Sequence, residues 1–581
     1  MHRVVNKEEK RFLLSTPPRK AIFLLILAGT LFTVPYLVAV HPVISVSYVV
    51  GFNNHVALLL FVAGIAAFAV LCGGKLGRLS AIDQKLPLTS LALASTLILL
   101  LCLGRLAHHS IGGEAKYSVN RLQMLATGLK PYRDFEYAYG PLHLYIPFYL
   151  SKIFHSSVVT GYFLWWTIQW IAGTAMLWFV IRQIDLPISR RKHLFWVLLA
   201  IQILNLHGQG IAYTPVRTIG SAFFLVLLFE LRRGRWNSFF FVVIAIMAIV
   251  FALGISPEQA ISVSCGLIAW LLLSRGQKPF LLHAAILAVL IGAIALAFTV
   301  VYHLHELDTF LAFRDGSLAL PLLPSPSVVL ILFAYIAAAC TLFLRIRQHR
   351  WNSVAIPLGI GGFSLLPIAL GRCDLLHLQM ASGAFILGVA TIEAHPAIRR
   401  YWSPLATCML FVLPLVFLIV DYRSAFHIAS PAGNAPTMQP RKNLDAFADT
   451  LHPANVCTVY YRTPSVVPSP ARNSRQDCMD VGFYFSFWNV ATISAIQKKA
   501  SDISSLPLQP LILPDRPMTD VFPVIEANPA NIDTNVLAIH IPKPIHTPYD
   551  YEVLKEAVLR NYIPSPQTSD GYRIWYPKQT R

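Results

Sequence analysis

The amino-acid sequence predicts an all-α polytopic membrane protein with a small C-terminal α/β domain. Two observations support this fold class. The 581 residues are 55% hydrophobic and only 13% charged, with a mean hydropathy of +0.57, whereas roughly 25% of the residues in a typical soluble protein are charged. Apolar runs that approach the ~20 residues needed to cross a bilayer recur from residue 21 to residue 420.

The apolar runs predict about 13 transmembrane helices, which together form a domain at 21–421. Residues 1–20 are too long and too charged for an ordinary cleaved signal peptide, so the first span is interpreted as an uncleaved anchor. We expect the spans at 21–40, 55–73, 88–107, 160–182, 193–207, 217–231, 237–255, 259–274, 280–302, 326–346, 353–371, 378–393 and 403–420.

The distribution of Lys and Arg predicts the orientation of these spans. Basic residues cluster at alternate connections, which is typical of cytoplasmic loops. The N-terminus is then cytoplasmic, and residues 422–581 lie outside the cytoplasm. The net charge of +19 is explained by this topology and gives no reason to expect nucleic acid as a partner. The clusters are Lys75/Arg78/Lys85, Arg182/Arg190/Arg191/Lys192, Arg232/Arg233/Arg235, Arg275/Lys278, Arg345/Arg347/Arg350 and Arg399/Arg400.

Residues 422–581 read as a separate α/β domain that is rich in proline and polar residues. Strand-like runs occur at Val456–Tyr461 and Asn535–Ile541, and a helical pattern, YEVLKEAVLRNY, precedes a strand-like GYRIWY. Cys457 and Cys478 could form a disulfide in an extracytoplasmic domain, and the sequence leaves this pairing open.

The longest polar connection, residues 108–159, follows the third span and is expected on the outer side. One helical pattern runs from Glu114 to about Thr127 and stops at Gly128, and another runs from Pro141 to about Phe154. The second pattern is too short to span a bilayer, and counting it as a span would invert the topology. Both are therefore predicted to be interfacial helices that lie along the membrane.

The residues of this connection resemble the first outer loop of the GT-C membrane glycosyltransferases, which include protein O-mannosyltransferases and lipid A aminoarabinose transferases. The similarity lies in GGEAKY (Gly112–Tyr117), ATGLKPYRDF and YGP, and covers roughly Leu88–Phe154 together with the multispan layout. It implies transfer of a sugar, with inversion, from a polyprenyl-phosphate donor to a glycan, lipid or protein acceptor. This would occur on the extracytoplasmic face of a plasma membrane, expected to be the bacterial inner membrane.

The resemblance and the chemistry together suggest the site residues. The family usually has Asp-Glu-x-x-Tyr with the aspartate as base, whereas this chain has Gly113 in that place and keeps Glu114 and Tyr117. A carboxylate suits removal of the acceptor's proton, and cations suit the phosphate leaving group. The candidate bases are Asp134 and Glu114, ranked together first, and Glu136. The candidate substrate-binding residues are Lys116, Tyr117, Arg133, Tyr139, Arg217, Glu258, Arg372, Asp374 and His377.

Several of these candidates also have a purely structural interpretation. Arg133 and Asp134 can pair with each other at the interface, where tyrosines are common in any case. Glu258 can be a helix N-terminal residue that the helix dipole favours. Arg372, Asp374 and His377 can form an ion-pair and capping cluster at the end of a span. No cofactor or metal site is predicted, and the sequence leaves a divalent-metal requirement open.

Other function classes stay open as well. An O-antigen ligase or polymerase relies on a large late outer loop, whereas here the densest polar segment follows the third span. A polysaccharide transporter or lipid flippase needs polar relays at mid-membrane depth, and the predicted spans contain few ionisable groups. A non-catalytic protein that only binds a lipid-linked sugar is a further alternative, because Gly113 replaces the family's aspartate.

Overall fold

The computed structural model describes most of the chain between residues 86 and 395 and parts of the C-terminal region. The predicted spans at 21–40, 55–73 and 403–420, the N-terminal segment 1–20, the strands predicted at 456–461 and 535–541 and both Cys457 and Cys478 lie outside the described residues. The predicted span at 280–302 also lies outside them, except for isolated positions. The described ranges are 86–107, 113–126, 139–233, 238–273, 326–351, 353–366, 379–395, 511–515, 524–527, 545–550, 552–569 and 572–578, with isolated positions between them.

The described residues between 86 and 395 are mostly helical, as the sequence predicts. Most helices coincide with predicted spans to within a few residues. Helix α10 covers the first part of its predicted span at 353–371, and positions 367, 368, 370 and 371 lie outside the described residues. The helices are α1 Leu88–Ala107, α2 Gly113–Ala126, α3 Leu142–Ile153, α4 Val158–Arg182, α5 Ile188–Ile203, α6 Pro215–Arg233, α7 Ser238–Ile255, α8 Pro257–Leu273, α9 Pro326–Arg347, α10 Ala355–Ser364 and α11 Ser382–Ala394.

Length and apolarity separate these helices into groups. Among the described residues, Leu88–Leu106 and Val158–Arg182 are long and apolar enough to cross a membrane by themselves. Four further apolar helices are shorter, at Phe239–Ile255, Pro257–Leu273, Ala355–Ser364 and Ser382–Ala394. The described helices therefore agree with an all-α membrane domain, whereas the number of 13 spans stays a prediction.

Small residues bring the helices close together. The Cα of Gly388 in α11 faces the backbone of Ala334 in α9 so closely that a methyl group at position 388 would overlap it. Gly362 in α10 meets Ala384 in α11 in the same way. Such contacts are typical of helix pairs in membranes, where close backbone approach maximises van der Waals packing. Trp166 and Trp170 are fully buried and pack in the apolar core of the bundle.

The basic end of α4 and the basic start of α5 meet the ends of other helices at one end of the bundle. Trp178, near the end of α4, donates from Nε1 to the carbonyl of Pro87, just before α1. Arg190, at the start of α5, donates to the carbonyls of Glu393 and Ala394 at the end of α11. Three segments that are distant in sequence therefore meet at this basic end, as expected if their connections lie on one side of a membrane.

The predicted span at 193–207 is corrected by the structure. Helix α5 begins earlier and ends at Ile203, and the chain continues as 3-10 turns at Leu204–Gly208 and Ile211–Tyr213. Between these turns, Gln209 is left-handed, with φ +50°. The Tyr162 hydroxyl donates to the carbonyl of Gln209 and accepts from the amide of Ile211. These bonds provide hydrogen-bond partners for backbone groups that lie inside the bundle but do not belong to a helix.

Both helices predicted in the 108–159 connection are present. Helix α2 ends before Gly128, whose φ of +95° and amide bond to the carbonyl of Leu125 form the predicted stop. Helix α3 packs across the start of α4, where Gly161 lies against the carbonyl of Pro147. The absence of a side chain at position 161 lets the two helices cross closely.

The C-terminal region contains the predicted helix, α12 Glu552–Asn561, and the predicted final strand, β5 Tyr572–Pro577. The other strands described there are β1 Leu511–Pro514, β2 Val524–Ala527, β3 Ile545–Asp550 and β4 Tyr562–Ser569. Antiparallel pairing gives a three-stranded sheet in the order β1-β5-β4 and a two-stranded sheet of β2 and β3. Ile574 and Trp575 of β5 are buried. The sequence did not predict strands at the positions of β1 to β4.

Candidate functional site

Three of the sequence-predicted site residues, Tyr139, Arg217 and Glu258, meet in the structure although they are far apart in sequence. Three more, Glu114, Lys116 and Tyr117, lie on helix α2. The remaining candidates lie outside the described residues: Arg133, Asp134, Glu136, Arg372, Asp374 and His377.

Two neighbouring helix starts place Arg217 and Glu258. Pro215 begins α6 and Pro257 begins α8, positions where the lack of an amide hydrogen costs nothing. Arg217 and Glu258 consequently lie in the first turns of their helices. The helix dipole favours the carboxylate in that place and disfavours the guanidinium. The arginine is therefore stabilised by its partner rather than by its own helix.

The two side chains form a buried ion pair, with each side chain only 8% exposed. Arg217 donates from Nε to Glu258 Oε1 over 3.1 Å and from Nη2 to the same oxygen. Its Nη1 donates to the carbonyl of Ala212 over 3.2 Å. Ser256, fully buried, places its Oγ 3.4 Å from Nε. These bonds use three of the five N–H groups of the guanidinium, which leaves two that could reach a ligand.

The turn before α3 brings Tyr139 onto this pair. The amide of Gly140 donates to the carbonyl of Ile255 over 2.9 Å, and the Gly140 Cα packs directly on the Gly254 backbone. The Tyr139 ring then lies under the guanidinium of Arg217, with Cζ 4.8 Å from the ring centroid. The 108–159 connection thus contributes an aromatic face to the arginine, a favourable cation–π arrangement.

His143 is a further member of this group that the sequence analysis did not single out. Its side chain in α3 is fully buried, and its ring meets the edge of the Tyr139 ring at 6.4 Å between centroids. Neither ring nitrogen has a hydrogen-bond partner among the described residues. Burial, and secondarily the charge of Arg217, lower the pKa of His143 to about 3. The imidazole is therefore neutral at physiological pH. Tyr139, His143, Arg217, Ser256 and Glu258 are called the Arg217 cluster below.

Helix α2 lies beside the segment that contributes to this cluster, because it packs against the 3-10 turns that precede α6. Arg121 and Ser118 of α2 are buried, with 0% and 1% exposure. By helical spacing, position 114 falls on the same side of α2 as these two residues. Position 116 falls on the other side of the helix.

A second polar group lies one residue further along α6. The Thr218 hydroxyl donates to Gln202 Oε1 over 2.7 Å, and Gln202 Nε2 donates to Gln379 Oε1 over 2.9 Å. Asn205 Nδ2 donates to the same Gln379 oxygen over 3.3 Å. All four side chains are at most 2% exposed. Gln202, Asn205, Thr218 and Gln379 are called the amide cluster. Sequence reasoning missed it because that reasoning counted only ionisable groups inside the spans.

The Arg217 cluster combines a fixed cation, a carboxylate, an aromatic face and a neutral imidazole. Because Glu258 balances the charge of Arg217, the pair is neutral overall and can be buried at tolerable cost. An incoming anion could use the two remaining guanidinium N–H groups, and the imidazole could donate or accept one hydrogen bond. Among the described residues, no group of three or more His, Cys, Asp or Glu side chains could hold a metal ion.

Comparisons with known proteins add nothing to this geometry. No protein-family model matches the chain, and a search of curated proteins found no match.

Proposed function

We propose that the protein is a membrane glycosyltransferase of the GT-C type, which transfers a sugar from a polyprenyl-phosphate donor to a glycan, lipid or protein acceptor. The single observation that supports this best is the buried Arg217–Glu258 pair, covered by Tyr139 from the 108–159 connection. This arrangement offers a rigid guanidinium to a phosphate at one end of a helix bundle, and Arg suits phosphate because its planar fork matches two phosphate oxygens.

The position of the cluster also suits a lipid-linked substrate. Under the proposed topology, the starts of α6 and α8 face away from the cytoplasm, whereas the basic end faces it. The multispan domain would have about 13 transmembrane helices, and residues 422–581 would form an extracytoplasmic domain. A polyprenyl chain would then stay in the bilayer while its phosphate and sugar reach the Arg217 cluster. The expected location is the bacterial inner membrane.

The proposed reaction assigns roles to the candidate residues. A carboxylate, Glu114 or Asp134, removes the proton from an acceptor hydroxyl as its oxygen attacks the anomeric carbon. The bond between that carbon and the phosphate oxygen breaks, and the leaving phosphate gains negative charge. Arg217 would stabilise that charge. Lys116 keeps the phosphate-binding role that the resemblance suggests, although position 116 lies on the side of α2 opposite position 114. Glu136, Tyr117, Arg133, Arg372, Asp374 and His377 keep their proposed supporting roles in this reaction.

Glu258 has a more specific role in this proposal than the sequence alone suggests. It is paired with Arg217 and sits in the first turn of α8, so its favoured helix position and its pairing act together. We therefore assign it to positioning Arg217 rather than to contact with the sugar. The structural interpretation and the functional one are compatible here, because a correctly oriented guanidinium requires a fixed partner.

One observation favours a second candidate function. The amide cluster places polar groups inside the bundle, which a transporter of lipid-linked sugars would also require. A transporter would move the donor without consuming it, so turnover of the donor separates the two functions. The O-antigen ligase alternative gains no such support from the described residues.

The proposal is tested by donor-lipid binding to the purified protein in lipid nanodiscs. Arg217→Gln should weaken binding of a polyprenyl-phosphate sugar by roughly tenfold or more, because a charge-assisted bond to the phosphate is lost. Arg233→Gln is the matched control, because Arg233 lies on the same helix but is 72% exposed at the basic end. Equal affinities for the wild type and both variants would contradict the proposal.

A further inference from the structure

The amide cluster contains buried polar atoms that the fold does not use. Gln379 Nε2 and Asn205 Oδ1 have no hydrogen-bond partner among the described residues, although Gln379 is 0% and Asn205 2% exposed. Buried polar groups are nearly always hydrogen-bonded, because leaving one unpaired is costly. These two atoms belong to side chains that are otherwise held by bonds within the cluster. The cluster is thus fixed in place, while one donor atom, Gln379 Nε2, and one acceptor atom, Asn205 Oδ1, are still available.

These two atoms, one that donates and one that accepts hydrogen bonds, indicate which ligand groups could bind there. An amide nitrogen donates two hydrogen bonds, and an amide oxygen accepts. A hydroxyl group can satisfy either, because it both donates and accepts. No ionisable side chain belongs to the cluster, so a charged ligand group would be buried there without a counter-charge. The cluster therefore suits neutral hydroxyls and not a phosphate.

The location of the cluster relates it to the Arg217 cluster. Thr218 follows Arg217 directly, so their Cα atoms are about 3.8 Å apart. The two side chains leave α6 in different directions, Arg217 toward Glu258 and Thr218 toward Gln202. Helix α6 therefore carries a charged group and a neutral, hydroxyl-compatible group on adjacent residues.

We propose that the amide cluster binds hydroxyl groups of the sugar while the Arg217 cluster holds the phosphate of the same donor. This inference rests on the proposed function, because it assigns the two parts of a lipid-linked sugar to two groups of residues. Gln379 donates to one sugar hydroxyl, and Asn205 accepts from another or from the same one. Neutral amides also explain how the site tolerates burial without a counter-ion.

A comparison of two lipid probes tests this division. Binding of polyprenyl phosphate and of the same lipid carrying a hexose or a pentose is measured in nanodiscs for the wild type, Gln379→Met and Asn205→Leu. Both variants should bind the sugar-bearing lipid at least roughly tenfold more weakly, because bonds to the hydroxyls are lost. Neither variant should change binding of polyprenyl phosphate by more than about twofold, since by this proposal that lipid makes no contact with the amides.

A matched control accounts for the cost of disturbing a buried polar pair. Thr391→Val removes the buried Thr341–Thr391 hydrogen bond of 2.8 Å, far along α11 from Gln379. It should lower thermal stability without changing the affinity for either lipid. If Gln379→Met does not fold, the binding measurements on Asn205→Leu test the proposal by themselves, because Asn205 belongs to a different segment.

The other possible results distinguish failure of this inference from failure of the proposed function. Equal affinity of the variants and the wild type for the sugar-bearing lipid would overturn the inference and leave the amide cluster as a site for buried water. Equal weakening of both lipids would also overturn it. If the wild type binds neither lipid, the proposed function itself fails.

Discussion

Arg217 and Glu258 form an ion pair between the first turns of two different helices, although 41 residues separate them in sequence. Both side chains are nearly inaccessible to solvent. If one partner is removed, the charge of the other therefore stays buried and is not solvated by water. The pair also receives the Tyr139 ring and the Ala212 carbonyl, so it joins four segments of the chain. Its integrity is expected to matter both for stability and for donor binding.

Replacing one partner should destabilise the protein strongly. Glu258→Gln leaves the Arg217 charge buried and uncompensated, which should lower the free energy of unfolding by about 3 kcal/mol. Thermal unfolding of the purified protein measures this change. The control is Glu230→Gln, which removes a partly exposed Glu230–Arg233 pair with a 3.6 Å separation and should cost less than about 1 kcal/mol. Similar losses in both variants would argue against a special role for the buried pair.

His143 should make the stability of the protein depend on pH. Burial lowers its pKa to about 3 in the folded protein, whereas the unfolded chain should show the ordinary value of about 6.5. The unfolded state therefore takes up a proton first, and stability falls as the pH drops from about 6.5 toward 3. At pH 5 this group alone should reduce the free energy of unfolding by about 2 kcal/mol relative to pH 8.

The variant His143→Phe should flatten this part of the pH profile, which is measured by thermal unfolding between pH 5 and pH 8. His155→Asn serves as the control, since His155 is exposed and has a left-handed backbone that Asn tolerates. An unchanged pH dependence in His143→Phe would show that other groups cause it.

Gly140 should be intolerant of a side chain. In Gly140→Ala the methyl group would overlap the carbonyl of Gly254, so the start of α3 and the Tyr139 ring would have to move. We expect a loss of about 1–3 kcal/mol in stability together with weaker donor binding. Gly220→Ala in α6 is the matched control, because its methyl group would meet only Gln259 Oε1 at an ordinary distance of 3.9 Å. Equal behaviour of the two variants would contradict the packing described here.

The proposed topology predicts which side of the membrane each connection occupies. Lys130 precedes α3 and is exposed, and Gln348 follows α9 and is exposed. A membrane-impermeant maleimide should label Lys130→Cys in intact cells and should label Gln348→Cys only after permeabilisation. The unsubstituted protein gives the background from the native cysteines. Labelling of Gln348→Cys in intact cells would place this connection outside the cytoplasm and would contradict the proposed orientation.

The sequence predicted helices best where apolar runs or clear stop signals occur. Helices α1 and α4 match their predicted spans closely, and Gly128 ends α2 as expected. The end of α5 was predicted wrongly, because its apolar run continues past Ile203 while the Tyr162 hydroxyl holds the following backbone in a non-helical form. A contact from a distant residue leaves no local signal in the sequence.

The candidate site was predicted in part for the same reason. Arg217 and Glu258 were predicted as substrate-binding residues, but their pairing depends on how α6 and α8 pack. His143 gave no signal, because a histidine in an apolar helix is usually only a core residue. Gln202 and Gln379 are neutral and 177 residues apart, so only the folded chain brings them together.

Turnover of the donor tests the central claim most directly. The purified wild type in lipid is incubated with polyprenyl-phosphate sugars and compared with Glu114→Gln and Asp134→Asn. The account predicts sugar transfer or donor hydrolysis by the wild type, reduced by roughly 10²–10⁴-fold in one variant while donor binding persists. Donor binding without turnover, unchanged by either substitution, would contradict the enzyme proposal and indicate a carrier or a sensor of lipid-linked sugars.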